Sequence, residues 1–211
     1  MLFPKELLNE KEIELFNSLS TPKSIQDYLD NLKYNHGEDC KSPRKIIQEG
    51  TAHCSEGALF ATAALWNLGH SPTIIELKAI NDDDHIIAIY KENNCFGALA
   101  KSNFTTLRSR EPVYKNLREL AMSYFDFYFN TIREKTLREF SDQFYLSNLE
   151  NGRWLTCDKD LNYIMETFDN LPHTKLIGSE AEKNLSLVSQ KLLEAGLLGS
   201  NPKGLYNPKV D

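Results

Sequence analysis

The stretch GTAHCSEGALFATAALWNLG, residues 50–69, constrains the fold more than any other. Set on a helix, Ala52, Ala58, Leu59, Phe60, Ala61, Ala63, Ala64, Leu65, Trp66 and Leu68 cover nearly every face. A helix that is apolar all round is buried all round, so the rest of the chain must wrap it. Gly57, Ala58 and Ala61 are small enough to let other elements approach closely. Gly69 supplies the end, where glycine readily adopts a left-handed cap. Cys54 lies in the first turn and therefore starts a central helix rather than a surface one.

The flanking sequence says what does the wrapping. Leu7, Leu8, Ile13, Leu15, Phe16 and Leu19 predict an amphipathic helix over 4–19. Thr21-Pro22 has the form of an N-cap followed by proline at the first helical position, opening a helix to about Lys33. Residues 35–42 form a polar loop, and 43–49 one more helical turn ended by Gly50. Downstream, 72–80 is a β-branched strand, Asn81–Asp84 a turn, and His85–Tyr90 a second strand. Lys91–Asn94 turn the chain into a third strand over 95–100. Residues 112–130, opening on Pro112, predict a long helix with Val113, Leu117, Leu120, Tyr124 and Tyr128 on one stripe. Two more helices are expected over 158–171 and 180–195, with Thr156 or Asp158 capping the first, and 199–211 is expected to be irregular. Segregated helices around an antiparallel meander make an α+β fold. The expectation is one domain over 1–211: N-terminal helices (1–42), a core (43–105), a helical part (106–198) and a tail (199–211).

Composition narrows the function classes. With 211 residues the chain can bury a real core without staples. The net charge of −6 argues against a nucleic-acid partner, which favours a basic face. No apolar run is long enough to span a membrane, so no membrane partner is expected. The start, MLFPKELLNEKEIELF, lacks the basic and apolar regions of a signal peptide, which points to the cytoplasm. In a reducing compartment Cys40, Cys54, Cys95 and Cys157 are expected to be free thiols. Cys40 with His53 and Cys54 fits no familiar metal-ligand spacing, so no metal is assigned.

A cysteine attacks as thiolate, and two devices lower its pKa: a helix N-terminus and a neighbouring imidazole. Cys54 has the first, and His85, opening a strand two elements later, can supply the second. A third group usually orients such an imidazole through its other nitrogen. A hairpin centred near 92–93 sets residues 99–101 opposite His85, which makes Asn103, or Ser102, the candidate orienter; Lys101 has the wrong charge. His53 falls on a different helix face and is assigned to structure or to the cleft rim. Glu56 complements the helix N-terminus, and opposes the thiolate if it faces the sulfur. Asp82–Asp84 are read as a mainly solvated corner. Arg108 and Arg110 either clamp a substrate anion or pair with Glu111 and nearby acids. The run Tyr124–Phe129 exceeds what one helical face buries, leaving part for a groove or for a contact in a homodimer.

The stretch GTAHCSEGALFATAALWNLGHSP, with Asp84-His85 heading a strand, resembles the core motif of the transglutaminase-like superfamily over about residues 43–105. KSNFTTLRSREPVYKNLRELAMSYFDFYFN resembles an uncharacterised bacterial branch of it. The resemblance implies a papain-like Cys–His–Asp/Asn arrangement. It implies acyl transfer through a Cys54 thioester on a peptide or small amide or ester, with no cofactor. The family's usual third residue is an Asp after the histidine strand; here Lys101-Ser102-Asn103 stand instead. Gln48, six residues before Cys54, sits at the spacing of the oxyanion-hole glutamine in papain-like proteases. The alternative from a different class is a catalytically silent domain that binds or scaffolds.

Overall fold

The structure, a computed structural model, describes residues 2–209. Asn9 caps α1 (Glu10–Ser18) reciprocally: its side chain accepts from the Glu12 N–H, and the Glu12 carboxylate accepts from the Asn9 N–H. Thr21 and Ser24 do the same for α2 (Pro22–Asn31). Strand β1 (Lys33–Tyr34) pairs in parallel with β2 (Thr51–Ala52). Between them α3 (Pro43–Glu49) is capped by Ser42 and closed by Gly50 at φ 66°, the left-handed region glycine tolerates. Helix α4 (Cys54–Asn67) follows, with every residue from Glu56 to Trp66 buried.

The sheet is built from β3 (Thr73–Ala79), β4 (His85–Glu92), β5 (Cys95–Leu99), β6 (Arg110–Tyr114), β7 (Leu137–Ser141), β8 (Phe144–Tyr145) and β9 (His173–Lys175). Its order is β6-β5-β4-β3-β7-β9, with β8 also pairing β3, and every pairing is antiparallel. Alternation along β3 and β4 gives it two apolar faces. Ile74, Ile86, Ala88 and Tyr90 pack toward α4, while Ile75, Leu77, Ile87 and Ile89 pack toward α5 (Leu117–Phe125). The remaining helices are short: α6 (Asn162–Glu166), α7 (Ser179–Glu182) and α8 (Gln190–Gly196). The architecture is α+β, with α4 between the N-terminal helices and the antiparallel sheet.

Two buried polar side chains stitch α2 to the end of β5. The Gln26 amide donates to the Ala100 carbonyl at 2.9 Å and accepts from its N–H at 3.1 Å. Lys101 Nζ donates to the carbonyls of Leu29 at 2.8 Å and Leu32 at 2.5 Å, satisfying the C-terminal end of α2. Burial, with Arg108 nearby, lowers the Lys101 ammonium to about 8. This crossing works only because residue 57 is glycine: a Cβ there would stand 2.3 Å from Lys101 Cβ.

The expected helix over 112–130 is shorter and later than its sequence pattern. Residues 110–114 form the edge strand β6, where Pro112 needs no ladder N–H. Asn116, not Pro112, starts the helix, its side chain accepting from the Glu119 N–H. The excess aromatics are covered by the chain itself: Tyr124, Tyr128 and Phe129 are buried, Phe129 beneath Phe104 and α8, and Phe127 is the exposed one of the run. The regions 158–171 and 180–195 break into short helical pieces. Neither Thr156 nor Asp158 caps α6, whose N-cap is Leu161. Trp154 is fully buried with its indole N–H on the Leu146 carbonyl. The four cysteines are free thiols. No helix among the described residues is long and apolar enough to cross a membrane.

Candidate active site

Cys54 is the first residue of α4, so its sulfur sits at the positive end of a buried helix. The preceding residue, His53, has extended backbone (φ −96°, ψ −170°), which turns its ring away from the helical path and beside the sulfur. His53 Nε2 donates to the Asp39 carbonyl at 3.2 Å, leaving Nδ1 for the thiol. His85 opens β4 and reaches the same sulfur. Its Nε2 lies 2.9 Å from the Leu107 carbonyl; a carbonyl only accepts, so Nε2 carries the hydrogen and Nδ1 is left toward Cys54. Two imidazoles thus flank one thiol, each fixed from behind by a main-chain carbonyl. Burial opposes ionisation of Cys54, but hydrogen bonding and charge from His53 and His85 outweigh it and hold the thiol well below its usual range. Burial likewise pushes His53 down, but its hydrogen bond to Cys54, with the charges of Cys54 and Glu56, raises it overall.

Glu56, one turn into α4, is fully buried and organises the entrance to the helix. It accepts from the His53 N–H at 2.7 Å, the Lys41 N–H at 3.1 Å and the Asn35 amide at 3.0 and 3.1 Å. It thereby ties the loop before α3 to the residue that precedes the nucleophile candidate. On the other side stands the acidic turn. Asp84 accepts from the Ala79 N–H at 2.7 Å, and Asp82 accepts from the Thr136 hydroxyl at 2.7 Å. Burial raises the carboxyls of Asp83 and Asp84, and the nearby Cys54 charge adds to the rise. Tyr128 closes the floor: its hydroxyl donates to the Asp83 carbonyl at 2.6 Å and its ring meets His85 edge-on at 6.4 Å.

The orienter of His85 differs from the one expected. The hairpin turns on Asn93 and Asn94, both with positive φ, so the register runs Ala88 to Leu99 and pairing stops there. Beyond it the chain swings away, and the loop returns the Leu107 carbonyl to His85. Asn103 does not hold the imidazole; its amide is committed to Asn201 and Gly204. Ser102 accepts from the Phe104 N–H and shapes that loop. Both line the Cys54 pocket without reaching the His85 ring as partners. Gln48 is exposed on α3 and does not line that pocket, because Gly50 and the extended β2 separate it from Cys54. The arginines serve the scaffold: Arg108 pairs with Asp30 at 3.4 Å, and Arg110 stacks on Tyr124 and donates to Ser123. His53 and Glu56 carry more of the site than their sequence positions suggested.

Among the described residues no group of three or more His, Cys, Asp or Glu side chains is arranged to hold a metal ion. The chain matches no protein-family model, and no curated protein matches it.

Proposed function

We propose that this chain is a cysteine-dependent acyl-transfer enzyme of the papain-like, transglutaminase-like kind, acting on a peptide or a small amide or ester. The observation that carries the reading is the Cys54 thiol at a helix N-terminus between two imidazoles that lower its pKa. In this reaction the Cys54 thiolate attacks the substrate carbonyl carbon. The oxygen takes up the negative charge and is met by main-chain N–H groups of the first turn of α4. His85, holding the proton as imidazolium, gives it to the leaving amine or alcohol as the bond to carbon breaks, and the thioester remains. Water or an amine then attacks, His85 takes its proton, and Cys54 leaves as thiolate. The Leu107 carbonyl keeps the His85 ring in the working tautomer throughout. It is neutral and offsets imidazolium charge less than a carboxylate does; the acidic turn beside it supplies negative field instead. His53 is a positioning residue that adds a second positive charge beside the sulfur.

Iodoacetamide labelling of Cys54, mapped by peptide mass against pH, tests this. Labelling is expected to persist well below neutral pH in the wild type and to move toward about pH 8.5, the range of a free thiol, in His85→Ala. Labelling that already titrates as a free thiol in the wild type overturns the catalytic reading. The second reading, a silent binding domain, is favoured by one observation: the pocket at Cys54 measures about 50 Å³.

A further inference from the structure

The small size of the Cys54 pocket has a local cause. After α8 the chain turns back over the site. Asn103 Oδ1 accepts from the Asn201 N–H at 2.8 Å, and its Nδ2 donates to the carbonyls of Asn201 and Gly204, each at 2.9 Å. Asn81, at the start of the acidic turn, repeats the pattern: its Oδ1 accepts from the Lys209 N–H at 2.8 Å and its Nδ2 donates to the Lys209 carbonyl at 3.0 Å. Each asparagine therefore pairs with both main-chain groups of one residue, as a neighbouring strand does, and reads no side chain. Asn81 is itself set for this, its Nδ2 also donating to Glu134 at 3.0 Å and its carbonyl accepting from Asn130 at 3.2 Å.

Between the two clamps the tail crosses the site. Gly204 and Tyr206 form a wall of the Cys54 pocket. A Cβ at Gly204 would stand 2.6 Å from a Tyr34 ring carbon, so only bare backbone fits there. The tail also borders a cavity of about 530 Å³, lined by Asn81, Arg138, Glu182, Tyr206 and Lys209. Tyr206 borders both spaces, the small one at the candidate nucleophile and a cavity of substrate size.

We propose that Asn81 and Asn103 are main-chain clamps of a groove for an extended peptide, and that residues 201–209 occupy it in the resting chain as an internal competitor. The inference rests on the acyl-transfer reading and deepens it: the substrate is a peptide held by its backbone, with glycine or bare backbone against Tyr34. Turnover then requires the tail to leave, which joins the Cys54 pocket to the larger cavity.

The test uses the full chain carrying Asn201→Pro, Gly204→Val and Lys209→Pro, which removes both donated N–H groups and adds a side chain where none fits. Three readouts are taken: the rate of iodoacetamide labelling at Cys54, its pH midpoint, and amide exchange over 201–209. The expected result is freely exchanging tail amides and at least tenfold faster labelling, with the pH midpoint unchanged. A synthetic peptide of residues 199–209, added to this variant, then slows labelling toward the wild-type rate, and adding Asn81→Ala and Asn103→Ala abolishes that protection. A freed tail with unchanged labelling overturns the proposal, as do tail amides that stay protected in the variant or a peptide that gives no protection. A pH midpoint of a free thiol in every variant sinks the acyl-transfer reading instead, because rate and midpoint report on different things.

Discussion

Replacing Gly57 with alanine is expected to destabilise the protein, against the rule for helix interiors. Alanine normally stabilises a helix over glycine by about 1 kcal/mol. Here the new Cβ would stand 2.3 Å from Lys101 Cβ, 3.3 Å from its N and 3.4 Å from its Cα. None of these atoms belongs to the free end of a flexible side chain, so the whole segment after β5 must retreat. Restoring ordinary contact at 3.4 Å means a retreat of about 1 Å. Overpacking of this kind costs roughly 1–3 kcal/mol. The same retreat stretches the two hydrogen bonds from Lys101 Nζ to Leu29 and Leu32, and a buried group left unpaired costs about 1–3 kcal/mol. After subtracting the helix gain, the net loss is on the order of 1–5 kcal/mol. Urea unfolding measures it as a lower midpoint at unchanged slope. A Gly57→Ala protein as stable as the wild type would show that α4 and residue 101 do not cross this closely, and the placement of Cys54 against the sheet would fall with it.

Two further expectations concern the polar groups around the site. Burial pushes the Asp82 carboxyl up to about 6, against the hydrogen bonds from Thr136 and the Asp83 N–H that lower it. With its folded pKa above the unfolded value of 3.8, the folded state binds this proton more tightly. The stability contributed by the group is therefore present below about pH 4 and is lost as pH rises to about 6, by on the order of 1–2 kcal/mol for a half-buried group. Asp82→Asn should gain on the wild type across that window, and a difference that stays constant with pH refutes the assignment. Glu56→Gln turns an acceptor oxygen into a donor facing the N–H groups of His53 and Lys41 and the Asn35 amide. Its expected loss is roughly 2–3 kcal/mol in urea unfolding, and a loss under about 0.5 kcal/mol would mean those bonds contribute little.

The central helix was legible because its pattern has few solutions. A run apolar on all faces, opening after an extended step at His53 and ending at a left-handed Gly69, can only be a buried helix. The three-stranded meander was legible for the same reason, through β-branched runs broken by Asn and Asp. The later strands were not: LREFS and HTK carry charge and polarity, and β9 is an edge strand with little apolar demand. Pro112 suits a first helical turn and an edge strand equally, and tertiary pairing chose the strand. In the site, Cys54 and His85 were legible from side-chain type and position. The group behind His85 is a main-chain carbonyl, that of Leu107, which leaves no mark in a sequence, whereas the Asn103 side chain does. The contact of His53 with the sulfur was not legible because its backbone is extended, which takes its ring off the helical path.

The stitch between Gln26 and Ala100 spans 74 residues. That separation sets an order on the folding of the chain as it is made. At the usual 5–20 residues per second, α2 waits roughly 4–15 s before its docking partner has been synthesised. Until then the Gln26 amide has only Asp30 of its own helix, at 2.9 Å, and the carbonyls at the end of α2 have only water or a chaperone. The Asn103 contact with Asn201 spans a further 98 residues. On the ribosome, therefore, the thiol and its two imidazoles can assemble before the segment that covers them exists, and the nascent protein passes through an uncovered form that the finished one hides.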